Sequence, residues 1–240
     1  MCITSSLVSD AMTFPDKSIN GVPLKAILKS FDDDPNGVQR IAERTGKAPE
    51  VTIVEPDPQW LDHFQIFKSR IIAAFEAHGA SNEVHHQETS NEPSRATILA
   101  INHVGSTSVP GLPAKAVIDI DLVLADNSLF TERLYVPCLE AAGFQYLLRE
   151  PNWHGHRFFY TDEPMPCNLH VWGPRCPEVE RHRIFRDWLL DHPNDRELYA
   201  QTKRECADLS KGKGEAVAEY NLRKQGVIRE ILARAFEALQ

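Results

Sequence analysis

Trp60, Leu61, Phe64, Phe67, Ile71, Ile72 and Phe75 recur at spacings of three and four, the interval that stacks side chains on one face of an α-helix. Asp57 and Pro58 precede them as a helix-starting pair, so the spacing predicts a long amphipathic helix. Shorter apolar runs bounded by turn residues predict strands over residues 51–54, 96–104, 117–124, 145–148, 157–161 and 168–172. A helix is expected over 128–142, ending at Gly143, with Pro137 as a kink point. After Pro177 the helical period returns, over 178–191, 195–209 and 215–239. A helix, then strands with one helix among them, then helices predicts an α/β (α+β) domain: a mixed β-sheet with packed helices and a helical C-terminal half.

Two zones break the pattern. Residues 1–50 carry Asp32-Asp33-Asp34-Pro35-Asn36-Gly37, a turn signal between short amphipathic stretches at 23–31 and 38–44. They are expected to be a partly ordered N-terminal extension with short helices, and residues 51–240 the domain itself. Residues 80–95, which include His85 and His86, are polar and without period, as in an exposed loop.

Composition narrows the function classes. With 240 residues, 42% hydrophobic and 25% charged, the chain has material for a sizeable core. No run approaches the roughly 20 apolar residues of a membrane helix. Five cysteines, an odd and sparse number, do not make a disulfide framework. The net charge of −8 supplies no global attraction to phosphate polymers, so a small-molecule substrate is expected rather than nucleic acid or membrane. The first residues lack a basic region followed by an apolar run, which makes the cytoplasm the expected location. Nothing in the sequence sets an oligomeric state.

The chemistry concentrates in residues 103–124. One strand ends in Gly105-Ser106, a hydroxyl-rich loop follows, and the next strand carries Asp119 and Asp121. Side chains two apart on a strand share a face, so Ile118, Ile120 and Leu122 face the core and the aspartates face the other way. Adjacent carboxylates repel unless a cation lies between them. Hard oxygen ligands suit Mg²⁺ or Mn²⁺. Gly105 permits close backbone approach, and Ser106, Thr107 and Ser108 supply donors for phosphate oxygens. The plainer reading is a polar turn beside the wet face of an edge strand. The Gly-x-x-x-x-Gly-Lys-Ser/Thr loop is missing.

This segment resembles the nucleotidyltransferase signature, a Gly-Ser turn followed by an Asp-x-Asp strand. More closely, the chain resembles the GrpB family, also called UPF0157. The matching blocks are residues 51–60, 103–120, 157–159, 168–171, 180–189, 192–193 and 199–203. The resemblance implies a nucleotidyltransferase-like fold, with Gly105 and Ser106 meeting a nucleoside triphosphate and Asp119 and Asp121 ligating metal. The third carboxylate of active nucleotidyltransferases is missing from the matching strand, where His170 takes its place.

Lys115, Arg157, His182, Lys203 and Lys224 are further candidates for holding phosphate. Cys167, His170, Cys176 and His182 are zinc-type ligands, but their spacing fits no common finger. The leading expectation is a Mg²⁺-dependent nucleotidyl- or phosphoryl-transferring protein acting on a small-molecule acceptor. The alternatives are a catalytically inactive nucleotide- or phosphometabolite-binding module and a metal-dependent hydrolase. A carboxylate from Glu150, Asp162 or Glu163 beside the aspartate pair would favour the enzyme, and His170 alone the binder.

Overall fold

The computed structural model describes residues 17–29, 37–45, 51–83 and 95–239. In chain order, β1 (Ser18–Ile19), β2 (Val22–Pro23) and α1 (Leu24–Leu28) form a small N-terminal unit, followed by β3 (Gln39–Arg40) and the long α2 (Gln59–Glu83). Then come β4 (Ile98–Val104), β5 (Ile118–Leu124), α3 (Glu132–Ala141), β6 (Gln145–Glu150), β7 (His156–Thr161) and β8 (Cys167–Trp172). Three helices close the chain: α4 (Pro177–Asp191), α5 (Pro193–Lys213) and α6 (Val217–Glu237). Six strands make one mixed sheet in the order β3-β6-β7-β8-β5-β4. Only β5 and β8 run parallel; the other neighbours are antiparallel. The expected mixed sheet and helical C-terminal half are both present.

Strand parity divides the sheet into a core face and a site face. Ile118, Ile120 and Leu122 of β5, Leu169 and Val171 of β8 and Phe159 of β7 are buried against Trp60, Phe64, Phe67 and Ile71 of α2 and Tyr135 and Leu139 of α3. Burial of such side chains stabilises by roughly 1.5–3 kcal/mol each. The helical stripe is narrower than its spacing suggests, because Leu61 and Ile72 remain exposed. On the opposite face, α4 lies over β5 and β8 and holds the site described below.

Several elements differ from the sequence expectation. Residues 38–44 are extended, not helical: β3 pairs with β6, and the Ile41 and Ala42 amides both donate to the Leu147 carbonyl. A stretch this short nucleates a helix poorly, whereas the free edge of β6 offers ready hydrogen-bond partners. The strand expected at 51–54 reduces to a single antiparallel bridge between Val54 and Ala114, since Pro56 and Pro58 prevent its extension. The helix expected from residue 128 begins at Glu132. The helix at 23–31 is only Leu24–Leu28, and Ile27 packs with Ile184 of α4. The expected loop at 80–95 begins later, because α2 runs to Glu83. His85, His86 and the turn at 32–36 lie outside the described residues. α5 runs four residues beyond its expected end and stops at Gly214, whose φ of +65° is the left-handed cap that favours glycine. Among the described residues, no helix is long and apolar enough to cross a membrane.

Candidate functional site: a cationic cleft beside Asp119

β4 delivers the chain to Gly105, whose φ of 69° and ψ of −171° belong to a region essentially reserved for glycine. A 3₁₀ turn over Ser106–Ser108 follows. Two of its hydroxyls hold the turn. Thr107 Oγ1 donates to the Val117 carbonyl at 3.1 Å, and Ser108 Oγ donates to the Gly105 carbonyl at 2.6 Å. Gly105 and Ser106 are left to line a cleft of about 340 Å³, together with Asp119.

The two aspartates share the site face but have different surroundings. Asp119 lies on the cleft wall, and its Oδ1 accepts a hydrogen bond from Asn168 Nδ2 at 2.7 Å. A Cβ on Gly105 would fall on the Asp119 carboxylate and 2.9 Å from its Cβ. Gly105→Ala is therefore expected to cost about 2–4 kcal/mol, from strained backbone and overpacking together, read as the loss in urea-unfolding free energy.

Asp121, one step along the strand, is fully buried. Its Oδ1 accepts from Trp172 Nε1 and its Oδ2 from His182 Nδ1, both at 2.8 Å. Burial would raise the Asp121 carboxyl, but the charge and hydrogen bond of His182 hold it below the usual carboxylate range. Burial would likewise lower His182, yet Asp121 raises it to about 9. The repulsion between neighbouring carboxylates is thus relieved by an imidazolium from α4. Asp121 is not open to a metal as the sequence suggested.

The rest of the cleft is cationic. α4 contributes Arg181, His182 and Arg186, and α6 contributes Lys224 and Arg229. Against these five stand Asp119 and Glu178. Arg181 and His182, adjacent in sequence, both reach the wall. Arg186 is steadied by the His103 carbonyl at 3.2 Å and by Asp187 at 2.8 Å. Phe185, Ile228 and Leu232 form an apolar strip along one side.

The family model described as GrpB protein matches residues 50–234. The chain belongs to the GrpB family. A UPF0157 protein of Halalkalibacterium halodurans is 36% identical, the match covering 77% of this chain and 82% of that one. The crystal structure of the GrpB protein of Enterococcus faecalis superposes with a TM-score of 0.54 at 21% identity, covering 78% of this chain and 99% of that one, a likeness of fold. A dephospho-CoA kinase of Mycolicibacterium paratuberculosis is 27% identical over 80% of this chain but only 47% of its own length. The GrpB match begins at residue 50, so β1, β2, α1 and β3 lie outside it, although β3 completes the sheet and α1 packs on α4.

Other candidate residues of this GrpB chain lie off the cleft wall. Arg157 belongs to the core face, because it pairs in register with Val171. There it is 4% exposed, bonded to Glu132 at 2.9 Å and to the Gly155 carbonyl. Lys203 is sealed at 1% exposure, donates to the Pro113 carbonyl and sits over the Tyr199 ring. Burial, then Lys224, lowers its amine to about 6. Lys115 and Lys224 share the Tyr220 ring at 5.2 and 5.1 Å, but only Lys224 lines the cleft. Cys167 points into the core while His170, three residues on, faces the site, so strand parity separates two of the zinc-type ligands.

His170 pairs in register with Asp121 and takes part in a line of hydrogen bonds. His156 Nδ1 lies 2.7 Å from Glu150 Oε2, and His156 Nε2 lies 2.9 Å from His170 Nδ1. Glu150 is thus committed to His156, while Asp162 and Glu163 are exposed past the end of β7. Among the described residues no three His, Cys, Asp or Glu side chains are gathered as a metal site. Nothing in the sequence singles out Glu178, Arg229 or Trp172. Glu178 and Arg229 are ordinary polar helix positions, and only the packing of α4 and α6 reveals their place.

Proposed function

We propose that the cleft binds a phosphorylated small molecule, a nucleotide or phosphometabolite, with its phosphates between Gly105–Ser106 and the cationic wall. The observation that carries this reading is that Arg181, Arg186, Lys224 and Arg229 line one cleft against Asp119 and Glu178, with His182 balanced by the buried Asp121 and Arg186 sharing its charge with Asp187. Arginine forks suit phosphate oxygens, and the strip of Phe185, Ile228 and Leu232 suits a less polar remainder of the ligand. The similarity to dephospho-CoA kinases, whose name is that of a phosphate-transferring enzyme, agrees with this ligand class.

A magnesium site built on both aspartates does not fit these residues, because both Asp121 oxygens are occupied by protein donors. A site built on Asp119 alone fits, since Mg²⁺ commonly takes one or two carboxylates plus substrate phosphates. Bound there, the ion would neutralise phosphate charge. This favours a binding module over two-metal nucleotidyl transfer, which needs two carboxylates open to metal.

Calorimetric titration with ATP, ADP and pyrophosphate, with and without Mg²⁺, tests the reading. Arg186→Ala and Lys224→Ala are each expected to weaken binding by about 1.5–3 kcal/mol, the worth of a charged hydrogen bond. Asp119→Ala is expected to remove only the Mg²⁺-dependent increment. Equal affinity in the wild type and the Arg186→Ala/Lys224→Ala double variant would overturn the proposal.

A further inference from the structure

The GrpB match begins at residue 50, yet the segment before it is built into the sheet. β3 pairs with β6, and the Gln145 side chain of β6 then holds the chain on both sides of Arg44. Gln145 Nε2 donates to the Glu43 carbonyl at 2.8 Å, and its Oε1 accepts from the Thr45 amide at 2.9 Å and the Thr45 hydroxyl at 3.1 Å. Arg44 is thus presented between two fixed neighbours. Its guanidinium carbon stands 3.6 Å from the centre of the Tyr160 ring, and it shares a hydrogen bond with the Tyr160 hydroxyl.

Strand parity puts Tyr160 on the same face of the sheet as the cleft. Tyr160 of β7 pairs with Asn168 of β8, and Asn168 pairs with Asp119 of β5. The three stand abreast, about 4.8 Å apart from strand to strand, and Asn168 Nδ2 donates to Asp119 Oδ1 at 2.7 Å. Asp119 is on the cleft wall, so the row leads from the cleft to Arg44. Lys115 flanks the row. Its amine shares the Tyr220 ring with Lys224 of the cleft, at 5.2 and 5.1 Å. Burial, then Lys224, lowers that amine to about 8, with Asp119 opposing the fall and Arg44 adding to it. Arg44, Lys115, Asn168 and Asp119 are all half-buried and so open in part to solvent.

Both cations are short of acceptors. Among the described residues no ion pair joins Arg44 or Lys115 to a carboxylate, and Arg44 Nη1 is sealed with no hydrogen-bond partner. A buried charged donor left unpaired costs free energy, and a phosphate against the guanidinium offers the oxygens its fork lacks.

We propose that the segment before the GrpB match carries a second phosphate subsite, formed by Arg44 and Lys115 beyond Asp119, which takes the outer phosphate of a polyphosphate chain whose inner end lies at Ser106. The inference rests on the anion-cleft reading above. Lys115 and Lys224 offset the Asp119 charge that the chain passes, Arg44 and Lys115 bind its outer end, and Gln145 is a positioning residue for Arg44.

Calorimetry of the full chain without Mg²⁺ tests this, with inorganic phosphate, pyrophosphate and tripolyphosphate as probes. Arg44→Met keeps an unbranched stem over Tyr160 and removes the charge. It is expected to weaken tripolyphosphate binding about tenfold or more, the worth of a charged hydrogen bond, and to leave phosphate and pyrophosphate within about twofold. Lys115→Met, which leaves the segment untouched, is expected to do the same. Gln145→Leu frees the backbone on either side of Arg44. It weakens tripolyphosphate binding in the wild type but no further in Arg44→Met, a coupling that a merely structural role would not give. Unchanged tripolyphosphate affinity in Arg44→Met or Lys115→Met, or equal weakening of all three probes, overturns the subsite. The Arg186→Ala/Lys224→Ala variant separates that failure from failure of the cleft: pyrophosphate binding lost there keeps the cleft when the subsite fails, and pyrophosphate binding retained removes the cleft and the subsite with it.

Discussion

Asp121→Ala is expected to destabilise the fold by about 3–5 kcal/mol, the range for removing one partner of a buried ion pair. For a chain of this size that is a fall in Tm of roughly 6–20 °C. The variant strips the His182 imidazolium of its counter-ion, leaves the Trp172 indole N–H without an acceptor and opens a cavity at a position of 0% exposure. Asp119→Ala, two residues away on the same face, loses one hydrogen bond to Asn168 at a half-open position. It is expected to cost only about 1 kcal/mol. Thermal and urea unfolding of the two variants check the contrast. Two open metal ligands held in mutual repulsion would behave oppositely, because alanine at either position would then relieve strain. Equal small effects, or a gain in stability at Asp121, would contradict the buried pair.

A steep loss of stability on mild acidification is the second large effect. His103 and His156 are buried and His170 is half-buried, all as neutral rings, pushed down chiefly by loss of solvent to about 4, 3 and 4 from an ordinary 6.5. Between pH 6.5 and about 4 the unfolded chain takes up protons at these three positions and the native chain does not. Stability therefore falls as pH falls, by about 1.4 kcal/mol per pH unit for each histidine, or up to about 4 kcal/mol per unit for the three. His182 has the opposite sign. Its raised value makes its contribution complete below 6.5 and lost as pH rises through about 9. Asp121, held low, contributes above 3.8 and loses that contribution as pH falls further. Lys203, lowered to about 6, opposes the His182 slope above that pH, because the unfolded chain holds a proton there that the native chain does not. The curve should therefore rise steeply to about pH 6.5 and then level off. Urea unfolding from pH 4.5 to 9 measures the curve, and a flat profile between 6.5 and 4.5 would contradict the buried neutral histidines.

The parts of this site that were legible in the sequence are those governed by local period. Alternation along β5 places Asp119 and Asp121 on one face and the isoleucines on the other, as found. The glycine after β4 marks a close approach, and Asp119 is what approaches. What could not be read locally is which aspartate remains open, because that depends on α4 landing over β5 from some sixty residues away. Arg157 shows a related difficulty. Its neighbours Phe158 and Phe159 are both aromatic, so nothing local reveals which face it takes, and only the register with Val171 assigns it to the core. Within residues 38–44, Gln39 and Arg40 form a strand because β6 has a free edge, a long-range cause that overrides weak amphipathic spacing. Lys203 carries a charge-bearing group into the interior, where a carbonyl and a tyrosine ring receive it. From sequence alone it is indistinguishable from a surface lysine.

The account stands on phosphate being held where Gly105 and Ser106 face the helices. A crystal structure of the full chain grown with Mg²⁺ and pyrophosphate tests this most directly. It should show phosphate density within hydrogen-bonding distance of Ser106, Arg186 and Lys224, with Asp121 still bonded to His182 and Trp172. Pyrophosphate bound elsewhere on the surface, or a metal ion seated on Asp121 with His182 displaced, would contradict it.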